Sequence, residues 1–217
     1  VFPTPSPELE QIERALRAGT DRSRPERVAI ALQVAAAGAG LEGLGPIRFV
    51  TVDDHHVRIQ LTEPAPAPPG FTAEGDAWVT AADHALVESL AVGSLDPLPL
   101  LCPVGTTSDG ADVLIDLEAA RVISIDGAAE RVSGLLRSMT LAVATSVWGC
   151  TPQVVLVGLS GAVTDLEWVQ AEPDLAAGLA RIPHHREQVS AAMWAAGRTI
   201  AQARASGATP DAWDPLV

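Results

Sequence analysis

The sequence predicts an α/β architecture, a mostly parallel sheet flanked by helices over residues 96–217, preceded by a small α+β subdomain over residues 1–95. Three observations lead there. From about Leu98 the apolar residues come in nearly continuous runs, at 98–104, 113–117, 122–125 and 154–157. Strands covered on both faces read this way, as in a parallel sheet between helices. Between the last two runs lies a helical stripe of Val132, Leu135, Leu136, Met139, Val143 and Val147, and strand alternating with helix is the α/β pattern. Upstream, Pro64-Ala65-Pro66-Ala67-Pro68-Pro69-Gly70 cannot be helix or central strand and reads as a stiff extended connector between the two parts.

Each element has its own signal. Ser6-Pro7-Glu8 opens a helix, with Pro in its first turn and an acid beside it; Leu9, Ile12 and Leu16 follow at helical spacing up to Gly19. A second start at Ser23-Arg24-Pro25-Glu26 leads into Val28, Ala31, Leu32 and Ala35 and stops at Gly38. Two alternating runs, 47–52 and 57–61, flank Asp53-Asp54-His55-His56 and predict a β-hairpin. A short segment around Trp78-Val79 and a weakly helical stretch at 81–90 come next. Thr106-Thr107-Ser108-Asp109-Gly110 has the Asp-Gly chemistry of a hairpin turn. The last helix, from about His185 to Ala205, carries Val189, Ala192, Met193, Ala196 and Ile200 on one face. No internal repeat is present.

Composition excludes more than it selects. The 217 residues contain no lysine, so all 14 basic side chains are Arg, against 27 acids and a net charge of −13. Without a side-chain amine there is no Schiff base and no lysine to reach the phosphates from a nucleotide-binding loop. Duplex nucleic acid and anionic membrane surfaces are poor ligands for so acidic a chain, because affinity for both comes from cationic side chains. Cys102 and Cys150 have neither CxxC nor Cys/His spacing and are expected as buried thiols rather than a disulfide. No apolar stretch reaches the ~18 residues a membrane span needs, and no signal-peptide pattern opens the chain. Val1-Phe2-Pro3 carries no initiator Met, and Asp214-Pro215-Leu216-Val217 stops where a strand is about to begin. Both ends lead us to expect a piece of a longer protein.

Several side chains have the chemistry of a catalytic or metal-binding group but not its spacing. His55 and His56 beside Asp53 and Asp54 resemble a metal cluster, but adjacent residues on an extended segment point to opposite faces; a solvated hairpin tip is the expectation. His184-His185 lacks a third ligand one helical turn on, since position 189 is Val and the HExxH spacing is missing. Neither Ser133 nor Ser160 sits in a G-x-S-x-G elbow. Asp112, Asp116 and Glu118 read as a polar strand face or edge alternating with Val113, Ile115 and Leu117. Trp148, Trp168, Trp194 and Trp213 do not interleave with a basic stripe, as base stacking requires. Trp194 lies off the apolar stripe of its helix and is the nominated partner contact. No catalytic, cofactor-binding or metal-ligating residue is assigned.

Two resemblances add context. Residues 113–117, then Arg121 through Gly127 and Leu135-Leu136-Arg137-Ser138-Met139, are similar to the start of an ATPase domain of the DNA-translocase and type VII secretion class. There a strand, a GxxxxGK[ST] loop and a helix opening with "LLR" follow one another. The tail, from Arg186 through Arg204 to Asp211-Ala212-Trp213-Asp214-Pro215-Leu216-Val217, resembles that class's approach to its acidic Walker B strand. The resemblance implies a RecA-like P-loop core, but a degenerate one. Gly127 keeps the first glycine, Arg131 stands at the second, Val132 replaces the lysine, and only Ser133 fits the metal-ligand position. A Cβ at the second glycine would crowd a backbone that must wrap a phosphate.

The whole chain also resembles a region of large actinobacterial membrane proteins that combine LysM-type and bacterial-transcriptional-activator (BTAD, TPR-like) domains. The motifs in order are 12–17, 63–69, 103–110, 114–118 and 211–217. These readings together imply a non-catalytic regulatory or scaffolding interaction domain, a pseudo-ATPase, at the cytoplasmic face of a membrane. Its partners would be proteins or flanking domains of the parent chain, with no nucleic acid, no cofactor and no membrane insertion by this segment. The alternative is a nucleotide-binding or NTPase module completed by an acid beyond Val217.

Overall fold

In a computed structural model, the described residues are 23–39, 47–81, 98–120, 122–145, 152–159, 164, 166, 168–181, 187, 190 and 191. Helix α1 (Ser23–Ala39) leads into a hairpin of β1 (Ile47–Val52) and β2 (His56–Leu61), then β3 (Thr72–Glu74), β4 (Ala77–Ala81), β5 (Leu101–Thr106) and β6 (Asp112–Asp116). A one-turn helix α2 (Leu117–Ala120), a longer α3 (Ala129–Ala144), strands β7 (Val154–Val157) and β8 (Val169–Glu172) and a short α4 (Leu175–Leu179) complete the order.

The sheet is not the parallel one the sequence predicts. Six strands in the order β3-β4-β2-β1-β6-β5 form one sheet, and every neighbouring pair in it is antiparallel. Only the separate pair β7–β8 is parallel. The P-loop-like core is overturned with it, since β6 runs into α2 and no parallel strand feeds the glycine loop before α3. The apolar run at 122–125 is not a strand, and Val122 is 87% exposed. The 95/96 boundary falls between strands of one sheet, because β6 pairs directly with β1.

Local chemistry explains the direction. The β5–β6 connection is closed by Thr107 N–H donating to the Ala111 carbonyl at 2.8 Å and Gly110 N–H donating to the Thr107 carbonyl at 3.0 Å. Gly110 has φ +88°, a left-handed conformation that glycine adopts without steric cost. A tight hairpin of this kind makes its strands antiparallel. The β1–β2 tip is similar in kind: the Asp53 carboxylate accepts from the backbone N–H groups of His55 and His56, both at 2.6 Å.

Two cores form. In the first, Val28, Ala31, Leu32 and Ala35 of α1, spaced i, i+3, i+4, i+7, pack on Val50, Val52, Val57, Ile59, Leu61 and Trp78 of the sheet. Ladder pairing puts these strand residues on one face, with Val50 opposite Ile59 and Leu114, and Ile59 opposite Trp78. The other face alternates through the half-buried Phe49, Thr51, Arg58, Gln60 and Val79. In the second core, Met139 and Val143 of α3 meet Leu100, Cys102, Val154 and Val169.

The proline-rich segment does not link two subdomains. It straps the first core between β2 and β3, with Ala65, Ala67 and Phe71 packed against it. The Trp78 indole Nε1–H donates to the Ala65 carbonyl at 3.0 Å, and the Phe71 ring lies 6.4 Å from that of Trp78. Where the strap crosses α1, a Cβ at Gly38 would stand 2.6 Å from Pro68 Cβ. Gly→Ala in a helix interior ordinarily stabilises by about 1 kcal/mol. Here the clash reverses the sign, and Gly38→Ala lowers stability by about 1–2 kcal/mol as overpacking does, measured by urea unfolding.

Candidate functional site

The sequence-nominated groups separate in the fold. Gly127 has φ +154°, a backbone region that L side chains rarely adopt, and the N–H groups of Arg131 and Val132 donate to the Ala128 carbonyl at 2.9 and 3.0 Å. Ala128 at the N-cap offers no side-chain cap. Arg131 is exposed and Ser133 half-buried in the first turns of α3. This is an ordinary helix start: the residues leading into it, 122–128, are not a strand.

His55 and His56 are both exposed, with ring centres 6.3 Å apart at 71°. The nearest carboxylate contact is His56 Nδ1 to Asp53 Oδ1 at 3.7 Å, so the pair belongs to a hairpin tip. Among the described residues, no group of three or more His, Cys, Asp or Glu could hold a metal ion. Asp116 and Glu118 do not share a strand face. Asp116 ends β6, is buried, and its Oδ1 accepts the Glu118 N–H at 3.0 Å at the start of α2. Ser160, His184, His185, Cys150, Trp148, Trp194 and Trp213 lie outside the described residues, as does the helix expected at 8–16; of the helix expected at 81–90 only Ala81 is described, as the end of β4, and of the one expected at 185–205 only 187, 190 and 191 are, all three helical.

Two features remain. The first is a polar staple at the hairpin end of the sheet. Arg24 at the start of α1 donates from Nη2 to Asp54 Oδ1 at 2.8 Å, and from Nη1 to Asp112 Oδ2 and the Gly110 carbonyl, each at 3.1 Å. One guanidinium thus fastens α1 to both hairpins, using the donor fork that only Arg has. The Arg24 guanidinium holds the Asp54 carboxyl below the usual carboxylate range. At Asp53, partial burial pushes the carboxyl up, but the backbone N–H groups of His55 and His56 outweigh it and leave it lowered.

The second feature is apolar. Leu175 and Leu179 on α4 are 62% and 51% exposed, Trp168 before β8 is 44% exposed, and Val157 of β7 is 38% exposed. Asp174 caps α4, its Oδ1 accepting the Ala177 N–H at 2.8 Å. Gly178 is buried against β7, where a Cβ would lie 3.0 Å from Val157 Cγ2 and 3.5 Å from Val155 Cγ1. The glycine lets α4 lie flat on β7, while Leu175 and Leu179, four residues apart, stay outside. Arg181 Nε bonds Glu172 Oε1 at 2.6 Å and ties the end of α4 to β8. Sequence reading nominated neither leucine. The signal was present in Pro173-Asp174, a helix start followed by leucines at i, i+4 spacing.

Comparison with protein-family models, curated proteins and solved structures finds no match to this chain.

Three outcomes follow from the titrating groups. A carboxylate with a depressed folded pKa adds stability that is present above its unfolded value and lost as pH falls through the folded one. Arg24→Gln removes the cause at Asp54, so the variant is less stable than the parent at pH 7. The gap narrows as pH falls below about 4, read from urea melts across that range. Burial pushes the Cys102 thiol up to about 12, which keeps it protonated and unreactive at neutral pH. Iodoacetamide at pH 8, followed by peptide mass spectrometry, leaves Cys102 unlabelled in the folded protein and labels it fully in urea. Since the raised value belongs to the folded state, stability also declines as pH rises above the ordinary thiol value of 9.0.

Proposed function

We propose that the chain is a non-catalytic regulatory or scaffolding interaction domain of a larger, membrane-associated protein. The observation that carries this reading is the set of exposed large hydrophobics on one small unit, Trp168, Leu175 and Leu179 around β7, β8 and α4. Exposed large apolar side chains on neighbouring elements, in an otherwise charged chain, favour a protein partner. The indole and the two leucines are the anchors such a contact uses. With a net charge of −13, the complementary partner is a protein surface with an apolar centre and a basic rim.

The resemblance of the motif order to actinobacterial LysM and BTAD-containing membrane proteins supports a membrane-associated parent, with this segment at the cytoplasmic face. Its partners would then include flanking domains of that parent. No helix among the described residues is long and apolar enough to cross a membrane. Absence of catalysis is part of the proposal: the thiol of Cys102 is buried and protonated, and the start of α3 lacks the lysine and second glycine of a nucleotide loop.

A photo-crosslinking amino acid at Leu175, installed in the cell that makes the protein, tests the reading. The expected product is one discrete protein adduct, lost on Leu179→Asp and not given by the same probe at Ser108. Titration of ATP with magnesium into the chain by calorimetry is expected to give no heat of binding. No adduct above the Ser108 control, or ATP binding lost on Arg131→Ala, overturns the proposal.

A further inference from the structure

Asp-Gly is a dipeptide at which a protein backbone can rearrange unaided, by attack of the glycine amide nitrogen on the aspartate carboxyl carbon. Glycine favours the reaction because no side chain shields that nitrogen, and closing a ring between neighbouring groups carries a small entropic cost. The chain contains two such sites, Asp109-Gly110 and Asp126-Gly127, and no Asn, so the related deamidation route is absent. The fold treats the two sites differently. At the first, the attacking Gly110 N–H donates to the Thr107 carbonyl at 3.0 Å, and the Gly110 carbonyl accepts from Arg24 Nη1 at 3.1 Å. The Thr107 hydroxyl and the Asp109 backbone N–H hold the Asp109 carboxyl below the usual carboxylate range. Both reacting groups are therefore engaged. At the second, the Gly127 N–H and the Asp126 carboxylate bond to no described residue. Both residues are exposed, and residues 122–126 pass from α2 towards α3 without helix, strand or turn. A backbone without hydrogen bonds is free to bring the nitrogen against the carboxyl carbon.

We propose that Asp126-Gly127 is a site of spontaneous covalent modification in the folded protein, converting aspartate to isoaspartate, and that Asp109-Gly110 is not. The Gly127 nitrogen bonds to Asp126 Cγ, and the carboxyl hydroxyl leaves with the amide proton as water. Water then opens the succinimide at either carbonyl. Opening at Cγ restores aspartate. Opening at the Asp126 main-chain carbonyl frees that carboxylate and routes the chain through Cβ and Cγ, which is isoaspartate. One water is lost and one is gained, so no oxidant or cofactor takes part and the mass is unchanged. The backbone becomes one methylene longer. That methylene falls between Ile125, packed against the second core, and α3, whose Met139 and Val143 belong to the same core. A close-packed interior feels a change of one methylene, so Ile125 and the first turn of α3 no longer both keep their places. The site uses none of Trp168, Leu175 and Leu179 and stands or falls independently of the interaction reading above.

Peptide mapping of the folded protein, aged at neutral pH, tests the assignment. Trypsin cuts after Arg58, Arg121 and Arg131 and so places the two sites in different peptides, 59–121 and 122–131. Peptide 122–131 is expected to split into two species of equal mass. The new species resists a protease that cleaves before aspartate but not before isoaspartate. In the same samples cleavage before Asp109 stays complete. In urea, where the turn and the Arg24 contact are lost, the two sites are expected to convert at similar rates, which makes the fold the source of their difference. Asp126→Glu, whose longer side chain closes its ring far more slowly, is expected to abolish the second species. The purified isoaspartyl chain is expected to unfold at a lower urea concentration than the fresh chain, while Asp126→Glu aged alongside keeps its midpoint. Conversion at Asp109 as fast as at Asp126 in the folded protein, no second species of peptide 122–131, or an unchanged urea midpoint of the converted chain overturns the proposal.

Discussion

Leu101 and Cys102 are neighbours in sequence and enter different cores, and the rest of the structure is arranged around that fact. Successive strand residues point to opposite faces, so β5 can serve as a wall only if both of its faces are covered. α1 and the sheet cover the Leu101 side; α3, β7 and β8 cover the Cys102 side. The buried thiol and its unreactivity are consequences of that position. β5 is also an edge strand containing Pro103 and a register shift between Pro103 and Gly105. Both features blunt an edge against further pairing.

The polar contacts secure what burial alone leaves loose. Apolar packing is non-directional, so it fixes that α1 lies on the sheet without fixing where. Arg24 supplies the position at one end of the helix, bonding the tips of two hairpins that lie far apart in sequence. The strap supplies it at the other end, through the Trp78–Ala65 bond and the close approach of Pro68 to Gly38. The ion pair between Arg58 and Glu74 is exposed on both sides and belongs to the class that contributes little.

The sequence made the elements legible more readily than their arrangement. The hairpin at 47–61, helix α1, the turn at 107–110 and strand β7 follow from alternation, helical spacing and Asp-Gly chemistry. The direction of the sheet was misread because a continuous apolar run reports how many faces are covered, not which way the neighbouring strand runs. The turn between β5 and β6 carried the direction and outranks the run. Asp116 and Glu118 were placed on one face by counting alternation across a strand-to-helix boundary, where the period changes from 2 to 3.6. The proline segment read as a linker because composition gives stiffness but not contacts. At the candidate surface, the spacing of Leu175 and Leu179 was visible, but a five-residue helix is too short for periodicity to distinguish buried from exposed.

The pairing of β1 with β6 has a consequence for how the chain is born. Strands β1 to β4 leave the ribosome before β5 and β6, yet the apolar face they share with α1 also needs Leu101 and Leu114. Until residue 116 has been synthesised, the nascent domain holds a partly roofed hydrophobic surface and an unpaired β1 edge. Its order of synthesis thus sets an interval of vulnerability, in which a chaperone meets a shape the finished protein never shows.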